Sequence, residues 1–323
     1  MCTAITFKTR DHYFGRNLDL EHSYQEAVTI TPRNYPFIFR KMPKMDSHYA
    51  MIGMALTEEG YPLYYDATNE CGLSMAGLNF PGNAAYYPKS KDADNITPFE
   101  LIPWILGQCR TVSEACKLLD RINLVKIPFS EAYPLSPLHW IVADRNEAIT
   151  LETLECGMKI YVNSVGVLTN NPPFDFHLHH LNNYLNLTSD EPVNRFSDKI
   201  SLGAYSRGMG AMGMPGDLSS SSRFIRAAFT KLNSRCGDSE TESVCQFFHI
   251  LGSVAQQEGC VKVGGKFEKT VYSSCCNTDL GIYYYTTYEN SQITAVDMTH
   301  EDLDGIRLIV YPLRKEAEIR REN

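Results

Sequence analysis

The sequence lacks any uninterrupted apolar run of about 18 residues, the length that a helix needs to cross a bilayer. Its first residues also lack the basic region and the apolar stretch of a secretory signal. No C-x-x-C pair occurs among the ten cysteines, so neither a zinc knuckle nor a thioredoxin-type redox site is supported. We therefore expect a soluble, cytoplasmic protein whose cysteines are mostly buried and reduced.

An excess of basic residues is missing as well. The chain has 30 Lys and Arg against 38 Asp and Glu in 323 residues, a formal charge of −8. Because nucleic-acid binding requires clustered Lys and Arg, we expect no nucleic-acid partner. With 43% hydrophobic residues, the composition is that of an ordinary globular protein with a packed core.

One glycine-rich pattern lacks the surroundings that would give it meaning. Residues 208–213 fit G-x-G-x-x-G, the dinucleotide fingerprint. That fingerprint follows a buried strand and begins a helix. Neither 205–207 nor 214–217 has such a pattern, so we interpret the segment as a flexible glycine-rich loop.

Three histidines also invite a metal assignment. His177, His179 and His180 lie on a predicted helix within 174–185, but no acidic or thiol ligand accompanies them at helical spacing. Adjacent helical residues point in different directions, so we interpret this as a polar surface helix. We expect neither a metal nor a cofactor.

Strand patterns dominate both ends of the chain. Residues 2–8 and 13–20 alternate around a short turn and predict a hairpin. The other predicted strands are 26–31, 49–56, 73–79, 138–143, 147–151, 159–169, 269–275, 280–288 and 292–298.

Helix signals lie between these strands. Thr97 to Glu100 forms a capping box with Pro at the first helical position, and Thr111 to Glu114 repeats the signal. Further helices are predicted after the serine run 219–222 and over 242–255. The order predicts a single α+β domain over 1–323, with stacked sheets flanked by helices and a charged tail, 314–323, that we expect to fray.

Cys2 differs from the other cysteines because of its position. Methionine aminopeptidases remove Met1 before a small residue, and an N-terminal cysteine then carries an α-amine that titrates near about 7.7–8.0 and can serve as its base. The hairpin also brings Arg16 and Asp19 close, where a guanidinium favours thiolate and a carboxylate holds an ammonium. A cysteine at this position is often accidental, so these residues alone leave both readings open.

Several short segments occur in an order that resembles the choloylglycine hydrolase family, which comprises conjugated bile salt hydrolases and penicillin V acylases. The resemblance extends from residue 1 to about 312. It implies the N-terminal nucleophile hydrolase fold, an αββα sandwich of two antiparallel sheets between helix layers. The segments are Cys2, FGRNLD at 14–19, AGLNFP at 76–81, LHW at 138–140, GVLTNNP at 166–172, SRF at 222–224 and YYY at 283–285.

The resemblance implies catalytic roles at particular positions. Cys2 is expected to be the nucleophile, with Arg16 and Asp19 as polar partners and Arg223 completing the charge network. Taken alone, either arginine has an ordinary reading as a salt-bridge residue. Arg223 lies at a predicted helix N-terminus, where a cation is disfavoured, and this placement favours a special role.

Two asparagines complete the implied set. The backbone N–H of Asn79 and the side-chain amide of Asn170 are expected to form an oxyanion hole. Each asparagine, considered alone, is more typical of a turn.

The implied substrate is the amide bond between a bile acid and glycine or taurine. Penicillin V acylases of the family tend to carry Tyr where this chain has Asn79. Large, mostly apolar side chains with hydroxyls at their edges suit a steroid. The expected substrate-binding residues are Leu18, Tyr24, Tyr65, Phe129, Tyr133 and Leu138.

Two alternatives stay open at this point. The bulk of Tyr65 would narrow the pocket toward the flatter phenoxyacetyl group of penicillin V. A binding protein that has lost catalysis on the same fold is the second alternative, although it would have no reason to keep all six catalytic residues. The resemblance also implies a homotetramer.

Overall fold

The computed structural model describes residues 1–323. The helices are α1 Leu101–Leu106, α2 Val112–Leu119, α3 Phe174–Leu181, α4 Ser220–Asn233 and α5 Glu240–Gly252. No helix is both long enough and apolar enough to span a bilayer. The strands are β1 Cys2–Lys8, β2 His12–Leu20, β3 Ala27–Thr31, β4 Met51–Glu58, β5 Tyr61–Asn69, β6 Ser74–Asn79, β7 Asp94–Ile96, β8 Ile122–Leu124, β9 Leu138–Ala143, β10 Ala148–Leu154, β11 Gly157–Val162, β12 Val167–Leu168, β13 Val261–Val263, β14 Lys266–Asn277, β15 Ile282–Thr287, β16 Thr294–Asp297 and β17 Ile309–Pro312.

Two large antiparallel sheets form the centre of the fold. The first sheet has the order β12-β1-β2-β14-β15-β16, with β13 paired to β14, and the second has the order β11-β10-β9-β6-β5-β4-β3-β17. Helix α1 packs on β5 and β6 of the second sheet, while α4 and α5 pack on β1, β2 and β14 of the first. The sheets face each other through β1 and β2 against β5 and β6. The predicted αββα sandwich is therefore confirmed.

The layering explains why β1 does not show a clean alternation of buried and exposed residues. One face of the first sheet meets helices and the other meets the second sheet, so residues 2–7 are all buried. Polar residues of β2, including Arg16 and Asp19, are consequently enclosed with no access to bulk water. Such groups need partners inside the protein.

The structure differs from the sequence predictions at several strands, and the short strands β7, β8, β13 and β17 were not predicted. Strand β5 was not predicted, because Pro62 and the polar Asp66 interrupt its apolar pattern. The single strand predicted over 159–169 is wrong, since β11 and β12 are separated by a turn. Gly166 lies in that turn with φ of +63°, which breaks the run of strand residues.

The interpretation of 174–185 as a polar surface helix is wrong at one position. His177 is fully buried on the inner face of α3 beside Phe174, whereas His179 is exposed. The apolar i and i+3 neighbours give this helix a buried side. Segment 208–213 is a loop with a single helical turn, and residues 314–323 are exposed without helix or strand.

Candidate active site

Pairing of β1 with β2 assembles the polar residues around Cys2. Cys2 lies opposite Leu18 and Ala4 lies opposite Arg16. The N–H of Asp19 donates to the carbonyl of Met1 at 2.9 Å. Cys2 itself is only 2% exposed.

The backbone nitrogen of Cys2 is held by Asn170. This N–H donates to Oδ1 of Asn170 at 2.9 Å. In the described chain Met1 still precedes Cys2, and its ammonium lies 2.5 Å from the carbonyl oxygen of Asp19 and 3.2 Å from Oε2 of Glu268. The start of the chain is thus fixed by three separate parts of the fold.

Arg223 projects from α4 toward the same nitrogen. Its Nη2 donates to Oδ1 of Asn170 at 2.7 Å, and its Nη1 donates to the carbonyl of Cys2 and to Oγ1 of Thr3. The guanidinium is fully buried and lies 4.0 Å from the Asp19 carboxylate. Burial lowers the pKa of Arg223, and Asp19 opposes this shift.

Asp19 is buried as completely as Arg223. Its Oδ1 accepts a hydrogen bond from Oγ1 of Thr270 at 2.7 Å, while Oδ2 has no hydrogen-bond partner. Burial raises the pKa of this carboxyl, and Arg223 opposes the rise. The ion pair is therefore what keeps a carboxylate tenable in this position.

Arg16 crosses between the two sheets. Its Nη1 donates to the carbonyls of Gly77 and Tyr65 at 2.5 and 3.0 Å. Burial alone would lower the pKa of Arg16, but nearby Cys2, Tyr272 and other acidic groups outweigh it and raise that pKa. Its Nε and Nη2 have no hydrogen-bond partner, so two donor groups of this buried guanidinium remain unpaired.

The two asparagines contact each other directly. Nδ2 of Asn170 donates to the carbonyl oxygen of Asn79 at 2.7 Å, and the N–H of Asn170 donates to Oγ of Ser220 at 2.8 Å. Asn170 therefore touches Cys2, Arg223 and Asn79 through one side chain. Its amide also retains a second hydrogen.

His177 is a neighbour of this site that the sequence patterns did not predict. Its Nε2 lies 2.9 Å from the carbonyl oxygen of Asn170. Burial lowers the pKa of His177 to about 4, so the ring is neutral near pH 7 and donates from Nε2. The pairing of Phe174 and His177 on one helical face was the available signal.

A cavity of about 350 Å³ borders the thiol. Cys2, Arg16 and Asn79 line it, whereas Asp19, Asn170 and Arg223 do not. All six residues that were expected to bind the acyl group also line it: Leu18, Tyr24, Tyr65, Phe129, Tyr133 and Leu138. Sixteen of the 23 lining residues are hydrophobic, so the cavity suits a large apolar group.

One wall of the cavity is an irregular segment, 128–136, that sequence patterns did not outline. Phe129 makes edge contact with Phe99 at 5.2 Å between ring centroids, and Oη of Tyr133 donates to Oε2 of Glu58 at 3.1 Å. A more open groove of about 700 Å³, lined in part by Arg33 and Arg110, contains none of the predicted site residues.

Comparison with known proteins identifies the family to which this fold belongs. Residues 2–311 match the linear amide C–N hydrolases of the choloylglycine hydrolase family. The chain belongs to this family and is therefore an enzyme that hydrolyses linear amides.

Particular relatives extend the match over the whole chain. A bile salt hydrolase/transferase of Lactiplantibacillus plantarum is 60% identical over 319 residues, which cover 98% of each chain. A bile salt hydrolase/transferase of Clostridium perfringens is 38% identical over 330 residues, which cover 100% of each.

Solved structures match the fold in the same way. A variant of the conjugated bile acid hydrolase from Clostridium perfringens superimposes with a TM-score of 0.91 at 36% identity, covering all of both chains. A penicillin V acylase from Agrobacterium tumefaciens shares the fold with a TM-score of 0.73 at 19% identity, covering 94% of this chain and 88% of its own.

Proposed function

We propose that this protein hydrolyses the amide bond that joins a bile acid to glycine or taurine. The observation that carries the proposal is that the thiol of Cys2 and six large, mostly apolar side chains border one cavity of about 350 Å³. The relative with 60% identity is named a bile salt hydrolase/transferase, which supports the same substrate class.

The proposed nucleophile is the thiol of Cys2 after removal of Met1. The nitrogen that now donates to Asn170 at 2.9 Å would then be a free α-amine, able to take the thiol proton and return it to the leaving amine. Asp19 and Arg223 would fix this nitrogen and the adjoining carbonyl. Arg16 would stabilise the thiolate.

Retention of Met1 tests this mechanism directly. We expect intact-mass measurement of active protein to give the mass of the chain without Met1. Full activity in a preparation that uniformly retains Met1 would rule out the α-amine as base.

The proposed oxyanion hole consists of the backbone N–H of Asn79 and Nδ2 of Asn170. Attack by the thiolate places negative charge on the substrate oxygen, and neutral donors held in place stabilise it without reorganisation. The contact of Nδ2 with the carbonyl of Asn79 at 2.7 Å supports this arrangement, because it holds the amide beside Asn79. Collapse releases glycine or taurine and leaves a thioester on Cys2, which water then hydrolyses to the free bile acid.

The cavity is proposed to bind the steroid. A steroid is a rigid apolar plate with a few hydroxyl groups. The aromatic rings of the cavity would bury the plate, and the tyrosine hydroxyls would form hydrogen bonds with its hydroxyl groups. The competing substrate is penicillin V, favoured by the bulk of Tyr65. We expect kcat/KM for glycocholate or taurocholate to exceed that for penicillin V on one preparation. A tenfold lead for penicillin V, about 1.4 kcal/mol of transition-state preference, would reverse the assignment.

Acyl transfer to amines is a second proposed activity. The same thioester would pass its acyl group to an amine instead of water, and two relatives are named hydrolase/transferase. When a glycine- or taurine-conjugated bile acid is incubated with a different amino acid, mass spectrometry is expected to detect the amide of the bile acid with the added amino acid. Its absence while hydrolysis proceeds would limit the protein to water as acceptor.

We also propose assembly into a homotetramer. Exposed apolar side chains concentrate in the long loop between α3 and α4, where they would suit contacts between copies. Light scattering is expected to give four times the chain mass of 36.5 kDa, and Phe196→Ser is expected to weaken assembly, whereas Ile319→Ser in the tail is not. A monomer at all concentrations would contradict this. These side chains are Leu185, Val193, Phe196, Ile200, Leu202, Tyr205 and Met212.

A cytoplasmic location completes the proposal. All ten cysteines are free, including neighbouring Cys275 and Cys276, which fits a reducing compartment. Cell fractionation with detection of the native protein tests this location.

A further inference from the structure

Glu268 is a buried carboxylate that the mechanism above does not use. It lies on β14, and its side chain is only 8% exposed. Both of its carboxylate oxygens lie near the ammonium of Met1, at 3.3 and 3.2 Å. The carboxylate makes no other hydrogen bond or ion pair. The start of the chain is therefore its single polar partner.

The position of Glu268 follows from the register of the first sheet. Thr270 pairs with Asp19 of β2 and also donates to its carboxylate. Residues two apart on a strand point to the same face, so Glu268 and Thr270 face the chain start together. No sequence motif marks this residue, because only the register brings it there.

Removal of Met1 takes the partner of Glu268 away. A buried carboxylate without a counter-charge is strongly unfavourable. The new ammonium forms on the nitrogen of Cys2, one residue of backbone, or less than about 4 Å, from the old one. This ammonium can replace the lost partner of Glu268. The guanidinium of Arg223 also lies within electrostatic range of Glu268.

We propose that Glu268 is a positioning residue that holds the α-amine of processed Cys2 in its ammonium form, and thereby leaves Cys2 as thiolate. This inference rests on the proposed cysteine mechanism and names a residue outside its six-residue set. The ammonium is the proton donor that the leaving amine needs, so Glu268 would act on both the thiol and the proton transfer.

Charged groups around the α-amine of Cys2 determine whether removing the charge of Glu268 raises or lowers the pH at which the amine loses its proton. Arg16 and Arg223 favour the uncharged amine, whereas Asp19 and Glu268 favour the ammonium. Removing the charge of Glu268 therefore makes the amine lose its proton at lower pH. It also moves the shared proton toward sulfur, because the ammonium loses one of the two carboxylates that favour it.

Lys269 does not interfere with this balance, although it neighbours Glu268. Its Nζ pairs with Glu258 and Glu289 at 3.4 and 3.0 Å, on the exposed side of the strand. Glu258 is 56% exposed and offers a matched control of the same residue type.

The test is the pH dependence of Cys2 alkylation by iodoacetamide, followed by mass spectrometry of the processed enzyme. For Glu268→Gln we expect the midpoint to fall by about half a pH unit or more and the plateau rate to decrease. Glu268→Asp keeps the charge, so its alkylation midpoint is expected to lie closer to that of the original protein. Glu258→Gln is expected to have the same midpoint as the original protein. The acidic limb of kcat/KM should move with the alkylation midpoint.

The outcomes separate this inference from the substrate proposal. A folded, processed Glu268→Gln protein with an unchanged midpoint and plateau would overturn the role of Glu268, even if bile salts are hydrolysed normally. A shifted midpoint in a protein that does not hydrolyse bile salts would support Glu268 and reject only the substrate. Equal shifts in Glu268→Asp and Glu268→Gln would also overturn it, because the effect would then not depend on charge.

Discussion

Cys2 lies between two surroundings that are built in different ways. On one side, Asp19, Asn170 and Arg223 form a fully enclosed polar network whose members are fixed by strands, a helix and short hydrogen bonds. On the other side, an irregular segment, 128–136, and the ends of strands form an apolar cavity. The groups proposed for the chemistry thus lie on strands and a helix, whereas the groups proposed to select the acyl group lie partly on an irregular segment, the kind of segment that tolerates change.

The strongest way to break the polar side is to remove the thiol. Cys2→Ala is expected to abolish turnover, because no other cysteine can combine a thiol with an α-amine. Cys275→Ser is expected to retain the chemistry, although burial of Cys275 makes loss of stability the main effect. Release of glycine or taurine by folded variants measures this. An active Cys2→Ala protein together with an inactive Cys275→Ser protein would overturn the mechanism.

Asn170→Ala tests whether the polar side acts on the transition state. We expect kcat to fall by roughly 100- to 1000-fold with a much smaller change in KM, since the amide is proposed to meet charge that develops only after attack. Asn182→Ala, at an exposed asparagine after α3, provides the control. Steady-state kinetics that show raised KM with unchanged kcat would reduce Asn170 to a substrate-positioning residue.

Phe129→Ala tests the apolar side, where we expect substrate binding to change and the reactivity of Cys2 to stay the same. We expect kcat/KM for conjugated bile salts to fall by about tenfold, since truncation removes roughly 1.5–3 kcal/mol of burial, part of it offset by collapse of the wall. Alkylation of Cys2 is expected to keep its original pH dependence. A matched loss of alkylation rate would show that the two sides of Cys2 are not separable.

The smallest expected effect concerns His177, which supports the polar side from behind. The folded protein binds a proton on this ring only near about 4, whereas the unfolded chain does so near 6.5, so stability falls as pH drops through that window. His177→Gln is expected to reduce the slope of the free energy of unfolding against pH by at most about 1.4 kcal/mol per pH unit. Urea unfolding at several pH values measures it, with exposed His179→Gln as control. An unchanged slope would mean that folding does not lower the pKa of His177.

The sequence predicted the polar side better than the elements that enclose it. The hairpin of β1 and β2 was confirmed because its two strands are adjacent and their alternation is local. Strand β5 escaped detection because Pro62 disturbs that pattern, although the strand lies inside the second sheet. The single-domain interpretation and the individual catalytic roles stay predictions.

Long-range register accounts for what sequence reasoning could not supply. Glu268 and His177 reach the site only because β14 pairs with β2 and because α3 packs its inner face against the residues after β12. Both are of polar types that are typical of exposed positions. The cavity residues were expected from the resemblance, and no periodicity in 128–136 would have indicated them.

The depth of β1 in the four layers has a consequence for biosynthesis. The enclosure of the strand that carries the nucleophile needs Thr270, which follows Asp19 by 251 residues and is synthesised long after it. Until β14 is made, the chain start cannot acquire its buried environment, and Met1 stays within reach of a peptidase. Because Met1 is largely covered in the folded chain, with its side chain 27% exposed, its excision is expected to precede completion of the sheet. Excision of Met1, which we propose makes the thiol competent, is therefore expected during synthesis.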